Sequence, residues 1–249
     1  MARMATFDWT VLDVDVGNSR IKWRVRGLTG QDVGCMDRLD PSVSDSWPSI
    51  RVDRVRVSSV ASKNENEELG RSLAQRFGCV AEFAMTTRVV DGLTCGYDEP
   101  ARLGVDRWLA MLGARQIASG PFVVIDAGTA ATVDFVSAEG AHQGGFIVPG
   151  LRLMASALFR GTADVQVSFE PNDPVVRPGK TTTTAVRGGL VLMLTDFASN
   201  AVARFTNDCG VRPHVYVCGG DAELIAPLIQ GPSVIKPHLV LDGLELALP

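Results

Sequence analysis

The feature that most constrains this fold is an internal echo. Val11-Leu12-Asp13-Val14-Asp15-Val16-Gly17-Asn18-Ser19 is a short apolar run ending in Asp-x-Gly and a polar residue. Phe122-Val123-Val124-Ile125-Asp126-Ala127-Gly128-Thr129 repeats it more than 100 residues later. A second strand-like run follows each copy, Ile21 to Val25 and Thr132 to Val136. β-branched residues bounded by glycine read as buried strands, so each copy reads as strand, tight turn, strand. A repeat this widely spaced is no solenoid; it predicts two similar domains. The break is expected at Ser119-Gly120-Pro121, giving domains 1–119 and 120–249. Because Asp and Gly suit any turn, one copy alone would carry little weight.

Between and after the copies the pattern alternates. Arg51 to Val60 reads as a strand, Asn66 to Phe77 as a helix with Leu69, Leu73 and Phe77 at spacing four, and Gly104 to Ala118 as another helix. Thr184 to Phe205 is a long helix candidate whose first turns are weakened by Gly188-Gly189. Val215 to Cys218 is a strand followed by Gly219-Gly220. Alternating strands and helices predict an α/β class.

Composition narrows the function. The chain has 249 residues, 46% hydrophobic and 21% charged, with net charge -4. That balance offers no electrostatic footprint for nucleic acid or an anionic membrane. Its five cysteines are odd in number and lack a C-x-x-C spacing, which argues against a disulfide framework or structural zinc and for a reducing cytoplasm. The first ten residues lack the apolar centre of a signal peptide, and no apolar run of about 18 residues occurs, so no membrane span is expected.

Each Asp-x-Gly turn offers a carboxylate at a strand end and backbone amides that can bind an anion. Such a carboxylate can hold a hard cation that bridges phosphate oxygens. Asp15 and Asp126 are therefore the key acids, with Asn18, Ser19, Thr129 and Thr132 as nearby donors. Asp106, in Gly104-Val105-Asp106-Arg107, reads either as a first-turn acid favoured by the helix dipole or as a base for an attacking hydroxyl. Arg107 is either a solvated helix residue or a fork for a substrate carboxylate. Gly144 to Gly150 and Gly219-Gly220 read as turns or as places of close ligand approach. Pro178-Gly179-Lys180-Thr181 imitates the end of a P-loop, but Pro174 occupies the required glycine position and no strand leads into it.

Taken together, these residues resemble the type III pantothenate kinase family, in the superfamily of acetate and sugar kinases, heat-shock ATPases and actin. Asp15-x-Gly17-Asn18-Ser19-x-x-Lys22 resembles the family's first phosphate motif, with Ser19 in place of threonine. Asp126-x-Gly128-Thr129-Ala130-x-Thr132-x-Asp134 resembles its second, Gly104 to Arg107 its G-A-D-R element with Val105 for alanine, and Gly144 to Gly150 its G-G-x-I-x-P-G segment. The resemblance runs from about Val11 to Ala222 and implies two actin-like (ribonuclease H-like) domains facing a nucleotide cleft.

It also implies an enzyme that phosphorylates pantothenate with ATP, the first step of coenzyme A synthesis. By that resemblance Asp15, Val16, Gly17, Asn18, Ser19, Arg20, Ile21 and Lys22 bind ATP phosphates, with Asp15 near magnesium, and Thr129 touches ATP. Asp106 accepts the proton, and Tyr97, Gly104, Val105, Asp106, Arg107 and Thr184 line the pantothenate pocket. Asp126 sits at a monovalent cation, potassium or ammonium, and the protein is a homodimer. Two rivals stand beside this reading: a kinase for another small hydroxyl substrate, and a non-catalytic regulatory protein of the same fold.

Overall fold

In a computed structural model the protein is described over residues 9–27, 30–38, 47–160 and 176–249. It divides into two compact units: one comprises 1–91, 97–113 and 240–249, the other 92–96 and 114–239. Two differences from a single break at 119/120 stand out. The helix that opens at Val105 belongs mostly to the first unit, and so do the last ten residues.

The first unit opens with β1 (Val11–Val16), β2 (Arg20–Gly27) and β3 (Gly30–Asp37), an antiparallel meander, followed by β4 (Arg54–Ser59), α1 (Lys63–Phe77) and β5 (Ala81–Phe83). The sheet order is β3-β2-β1-β4-β5, with β4 and β5 added in parallel. Strand alternation decides its two faces. Leu12, Val14 and Val16, with Ile21, Val25, Val55 and Val57, form the apolar side and pack with Leu73 of α1. Each fully buried aliphatic side chain contributes about 1.5–3 kcal/mol. Helix α1 starts three residues before the apolar periodicity suggests, because Ser62 and Glu65 form a reciprocal capping box. It ends at Gly78, whose φ of 75° suits the left-handed cap.

The opposite face of this sheet is charged. The register puts Asp13 between Arg24 and Arg56, and Asp15 between Lys22 and Ser58. Asp13 is wholly buried and accepts from Arg56 at 2.7 Å, Arg26 at 3.0 Å and Arg24 at 3.3 Å. The same arginines reach the C-terminal helix: Arg24 to the Leu241 carbonyl and Asp242, Arg26 to Glu245, and Arg56 to the Leu248 carbonyl. That network is why the last ten residues belong to the first unit. Arg54 hydrogen-bonds Glu82 on β5, which holds the Glu82 carboxyl below its usual value.

After β5 come β6 (Val89–Val90), β7 (Leu93–Thr94), a short 3-10 turn (Pro100–Arg102) and α2 (Val105–Arg115). The second unit then repeats the first. β8 (Phe122–Ala127), β9 (Ala130–Val136) and β10 (His142–Pro149) form the meander, α3 (Leu151–Arg160) and α4 (Thr182–Cys209) follow, and β11 (His214–Cys218) lies parallel to β8. α5 (Ala222–Ile225), β12 (Val234–Ile235) and α6 (Leu239–Ala247) complete the chain. The order β10-β9-β8-β11-β12 has the same connectivity as the first sheet, so the echo seen in sequence is a repeated fold. Its core joins Val123, Ile125 and Val133 to the α4 stripe Leu190, Val191, Leu194, Ala198, Ala201, Val202 and Phe205. α4 runs through Gly188-Gly189 unbroken. A Cβ on Gly188 would stand 3.1 Å from the Arg177 carbonyl, so a tight contact uses the first of these glycines. Pro178 to Lys180 lead into the Thr181 N-cap of α4, and Pro174 lies outside the described residues.

Candidate active site

The two strand ends that carry Asp15 and Asp126 match in detail. β1 and β8 share one burial pattern, and in both the fifth residue, the acid, is the half-buried one among buried neighbours. Gly17 donates its N–H to the Arg20 carbonyl at 3.0 Å, and Gly128 donates to the Ala130 carbonyl at 3.1 Å. The turns differ by one residue. Val16 pairs with Ile21, whereas Ala127 pairs with Ala131. In consequence Lys22 stands across from Asp15, but Thr132 stands across from Asp126.

Around the first turn, Asn18, Ser19 and Arg20 are exposed at the hairpin tip and Ile21 is buried beneath it. Arg38 braces the turn from outside: its backbone N–H donates to the Ser19 carbonyl at 3.0 Å, its guanidinium donates to the Gly17 carbonyl at 3.1 Å, and it pairs with Glu65. Hydrogen bonds from Ser62, then the Arg38 charge, hold the Glu65 carboxyl below its usual value. Ser58, in register with Asp15, is fully buried, and its hydroxyl has no partner among the described residues. Sequence reading missed Arg38, Glu65 and Ser58. Only the Ser62-x-x-Glu65 capping spacing could have flagged one of them.

Around the second turn the backbone closes in. Gly150 donates to the Thr129 carbonyl at 3.0 Å, and Asp221 donates to the Ala127 carbonyl at 2.9 Å. A Cβ on Gly219, whose φ is 94°, would collide with the Ala127 carbonyl and the Asp126 carboxylate. Gly150 and Gly219 therefore both come against the Asp126 turn, and a side chain at either would block that approach. A carboxylate beside backbone carbonyls, in a cradle that a Cβ would fill, offers oxygen ligands that suit a hard cation. Asp15 fits magnesium in the usual way, as one carboxylate completed by phosphate and water. Among the described residues no cluster of three or more His, Cys, Asp or Glu could hold a metal by itself.

A third group lies in the first unit. Asp106 sits in the first turn of α2, where the helix dipole favours its charge, and accepts the Arg107 backbone N–H at 2.8 Å. A Cβ on Gly104 would stand 2.6 Å from that same carboxylate oxygen, so glycine here keeps the approach to Asp106 open. Arg107 is buried; its guanidinium donates to the Tyr97 hydroxyl at 3.0 Å and lies 5.7 Å from the Tyr97 ring centre. Tyr97, Gly104, Val105, Asp106 and Arg107 are thus one local constellation. Thr184 is exposed at the start of α4; its hydroxyl accepts the Thr181 N–H at 3.1 Å and its own N–H donates to the Thr181 hydroxyl at 3.2 Å, completing the capping box.

Duplicated Asp-x-Gly hairpins on sheets of one topology give the protein an actin-like fold. The fold matches MreB 5 of Spiroplasma citri bound to AMPPNP, with a TM-score of 0.53 and 11% identity, covering 96% of each chain. It also matches the ethanolamine utilization protein EutJ from Carboxydothermus hydrogenoformans, with a TM-score of 0.51 and 13% identity, covering 96% of this chain and 89% of that one. Residues 11–204 match the model of the type III pantothenate kinase family. The chain is 39% identical to a type III pantothenate kinase of Pseudomonas putida, over 96% of its own length and 99% of the relative's. It is 35% identical to one of Azotobacter vinelandii, over 96% and 98%. The chain belongs to the type III pantothenate kinase family.

Proposed function

We propose that the protein transfers the γ-phosphoryl group of ATP to the primary hydroxyl of pantothenate, giving 4′-phosphopantothenate and ADP and opening coenzyme A synthesis. The observation that carries this reading is Asp106, anchored at a helix start beside Gly104, Arg107 and Tyr97, in a chain of this family. Phosphoryl transfer needs positioning and charge neutralisation more than a strong base, and a carboxylate held by its own helix supplies the first. Asp106 orients the hydroxyl and takes its proton. The buried Arg107 guanidinium and Tyr97 bind the pantothenate end, where a planar fork suits a carboxylate. Gly104 and Val105 form the wall beside them.

The hairpin Asp15 to Lys22 holds the ATP phosphates, through backbone amides at its exposed tip, the Asn18 and Ser19 side chains and the Lys22 ammonium. Thr129 does the same from the second hairpin. Magnesium, held at Asp15, neutralises phosphate charge when bound; potassium or ammonium at Asp126 adds positive charge beside the second turn. Thr184, at the exposed start of α4, is assigned to substrate binding on the family resemblance. The test is a phosphorylation assay with ATP, magnesium and pantothenate, with and without potassium, the product read by mass. Potassium-dependent formation of 4′-phosphopantothenate is expected. Product indifferent to potassium and ammonium would remove the cation from Asp126, and no product from folded protein would remove pantothenate.

The protein works in the cytoplasm as a homodimer. Phe146 and Ile147 on β10, Leu153 and Leu158 on α3, and Leu192 and Met193 on α4 are exposed large apolar side chains of the second unit, available for burial against a partner. Sedimentation equilibrium is expected to give twice the 26.6 kDa chain mass; a monomer at micromolar concentration would refute the dimer.

A further inference from the structure

A short strap in the first unit holds both ends of the segment that presents Tyr97 and Asp106. It leaves the sheet where the Ala84 N–H donates to the Val57 carbonyl at 2.8 Å, one residue beyond β5. Two residues on, the Thr86 hydroxyl donates to the Leu103 carbonyl at 2.9 Å, next to Gly104 and the start of α2. The Arg88 guanidinium then forks over the other end. One of its terminal nitrogens donates to the Tyr97 carbonyl at 2.8 Å and the other to the Asp98 carbonyl at 2.6 Å. Tyr97 is therefore fixed twice, by its backbone through Arg88 and by its hydroxyl and ring through Arg107. Leu103, at the far end, is buried. The strap is itself a surface element, with Met85, Arg88 and Val89 exposed, so its polar contacts are not needed to close a core.

We infer that Thr86 and Arg88 are positioning residues for pantothenate binding, acting through Leu103 and Tyr97 and touching no substrate themselves. The inference rests on the reading that Tyr97 and Gly104 to Arg107 take pantothenate. A loop pinned before the ligand arrives loses less conformational freedom on binding, so the strap lowers the pantothenate KM and leaves the nucleotide end alone. Two carbonyls bridged by two nitrogens of one planar group is a task for arginine; a lysine ammonium carries all three of its donors on one nitrogen.

The test is steady-state kinetics with pantothenate and ATP varied separately. Arg88→Ala and Arg88→Lys are both expected to raise the pantothenate KM about tenfold, with kcat and the ATP KM within about twofold of the parent. Thr86→Val should raise the pantothenate KM by a few-fold, and Thr86→Ser, which keeps the donor, should restore it. A pantothenate KM that stays put in folded Arg88→Ala overturns the inference. So does a parallel rise in both KM values, or full function in Arg88→Lys. Should the Arg88 variants fail to fold, the Thr86→Val and Thr86→Ser pair decides alone, equal KM values refuting the strap. Tyr97→Phe separates the two layers: no change in pantothenate KM there sinks the substrate assignment of the loop. A rise there without one in Arg88→Ala sinks only the strap.

Discussion

Asp106→Asn is expected to lower kcat by about 10²–10⁴-fold, the range set by loss of a positioned general base. The substitution is nearly isosteric. The asparagine oxygen can still accept the Arg107 N–H that now holds Asp106 at 2.8 Å, so α2 should keep its start and the protein its fold. Only the capacity to take a proton and the negative charge are removed. Because the transition state is loose, little proton transfer has occurred when it is reached, which places the expected loss toward the lower part of that range. The measurement is kcat at saturating ATP and pantothenate, with thermal melting as the control for folding. Turnover within threefold of the parent would exclude Asp106 as the proton acceptor.

The largest expected effect on stability belongs to Asp13, which takes no part in the proposed chemistry. Asp13→Ala removes the common acceptor of Arg24, Arg26 and Arg56, of which Arg24 and Arg56 are almost wholly buried. Stranding buried charge by deleting its partner costs about 3–5 kcal/mol. A chain of this size then melts lower by about 6–20 °C. The same arginines fasten the C-terminal helix α6 through Leu241, Asp242, Glu245 and Leu248. Hydrogen exchange of the α6 amides should accordingly rise before that of β8 in the second unit. A melting temperature within about 2 °C of the parent would show that the arginines find other partners and that Asp13 is dispensable.

Much of the architecture was legible because one physical signal carried it. Short β-branched runs that end in Asp-x-Gly occur twice, and each became β1 or β8 of sheets with one topology. Leu69, Leu73 and Phe77 marked the core face of α1, but the helix began earlier, because the capping pair Ser62 and Glu65 outranked the apolar period. The last ten residues were not legible as part of the first unit. Their attachment rests on arginines reaching carbonyls and acids about 190–220 positions away in sequence, a pairing no local pattern encodes. β3 was missed because Gly30 to Asp37 lacks both apolar alternation and β-branched enrichment. At the site, Gly104, Asp106 and Arg107 could be picked out by residue type, but the reason for the glycine could not: it is the nearness of the Asp106 carboxylate to the place of a Cβ. Arg38 and Ser58 gave no signal, since an arginine after a strand and a serine within one are commonplace.

The residues that face the two acids make the repeat electrically lopsided. Across the ladder from its acid, one copy carries an ammonium and the other a hydroxyl. Two halves that share a topology are therefore not interchangeable parts. A copy of the first hairpin grafted into the second would bring its own fixed cation, which the native second hairpin lacks across from its acid. On the proposed reading, a hydroxyl rather than an ammonium across from Asp126 is what makes the rate of this enzyme answer to the salts dissolved around it.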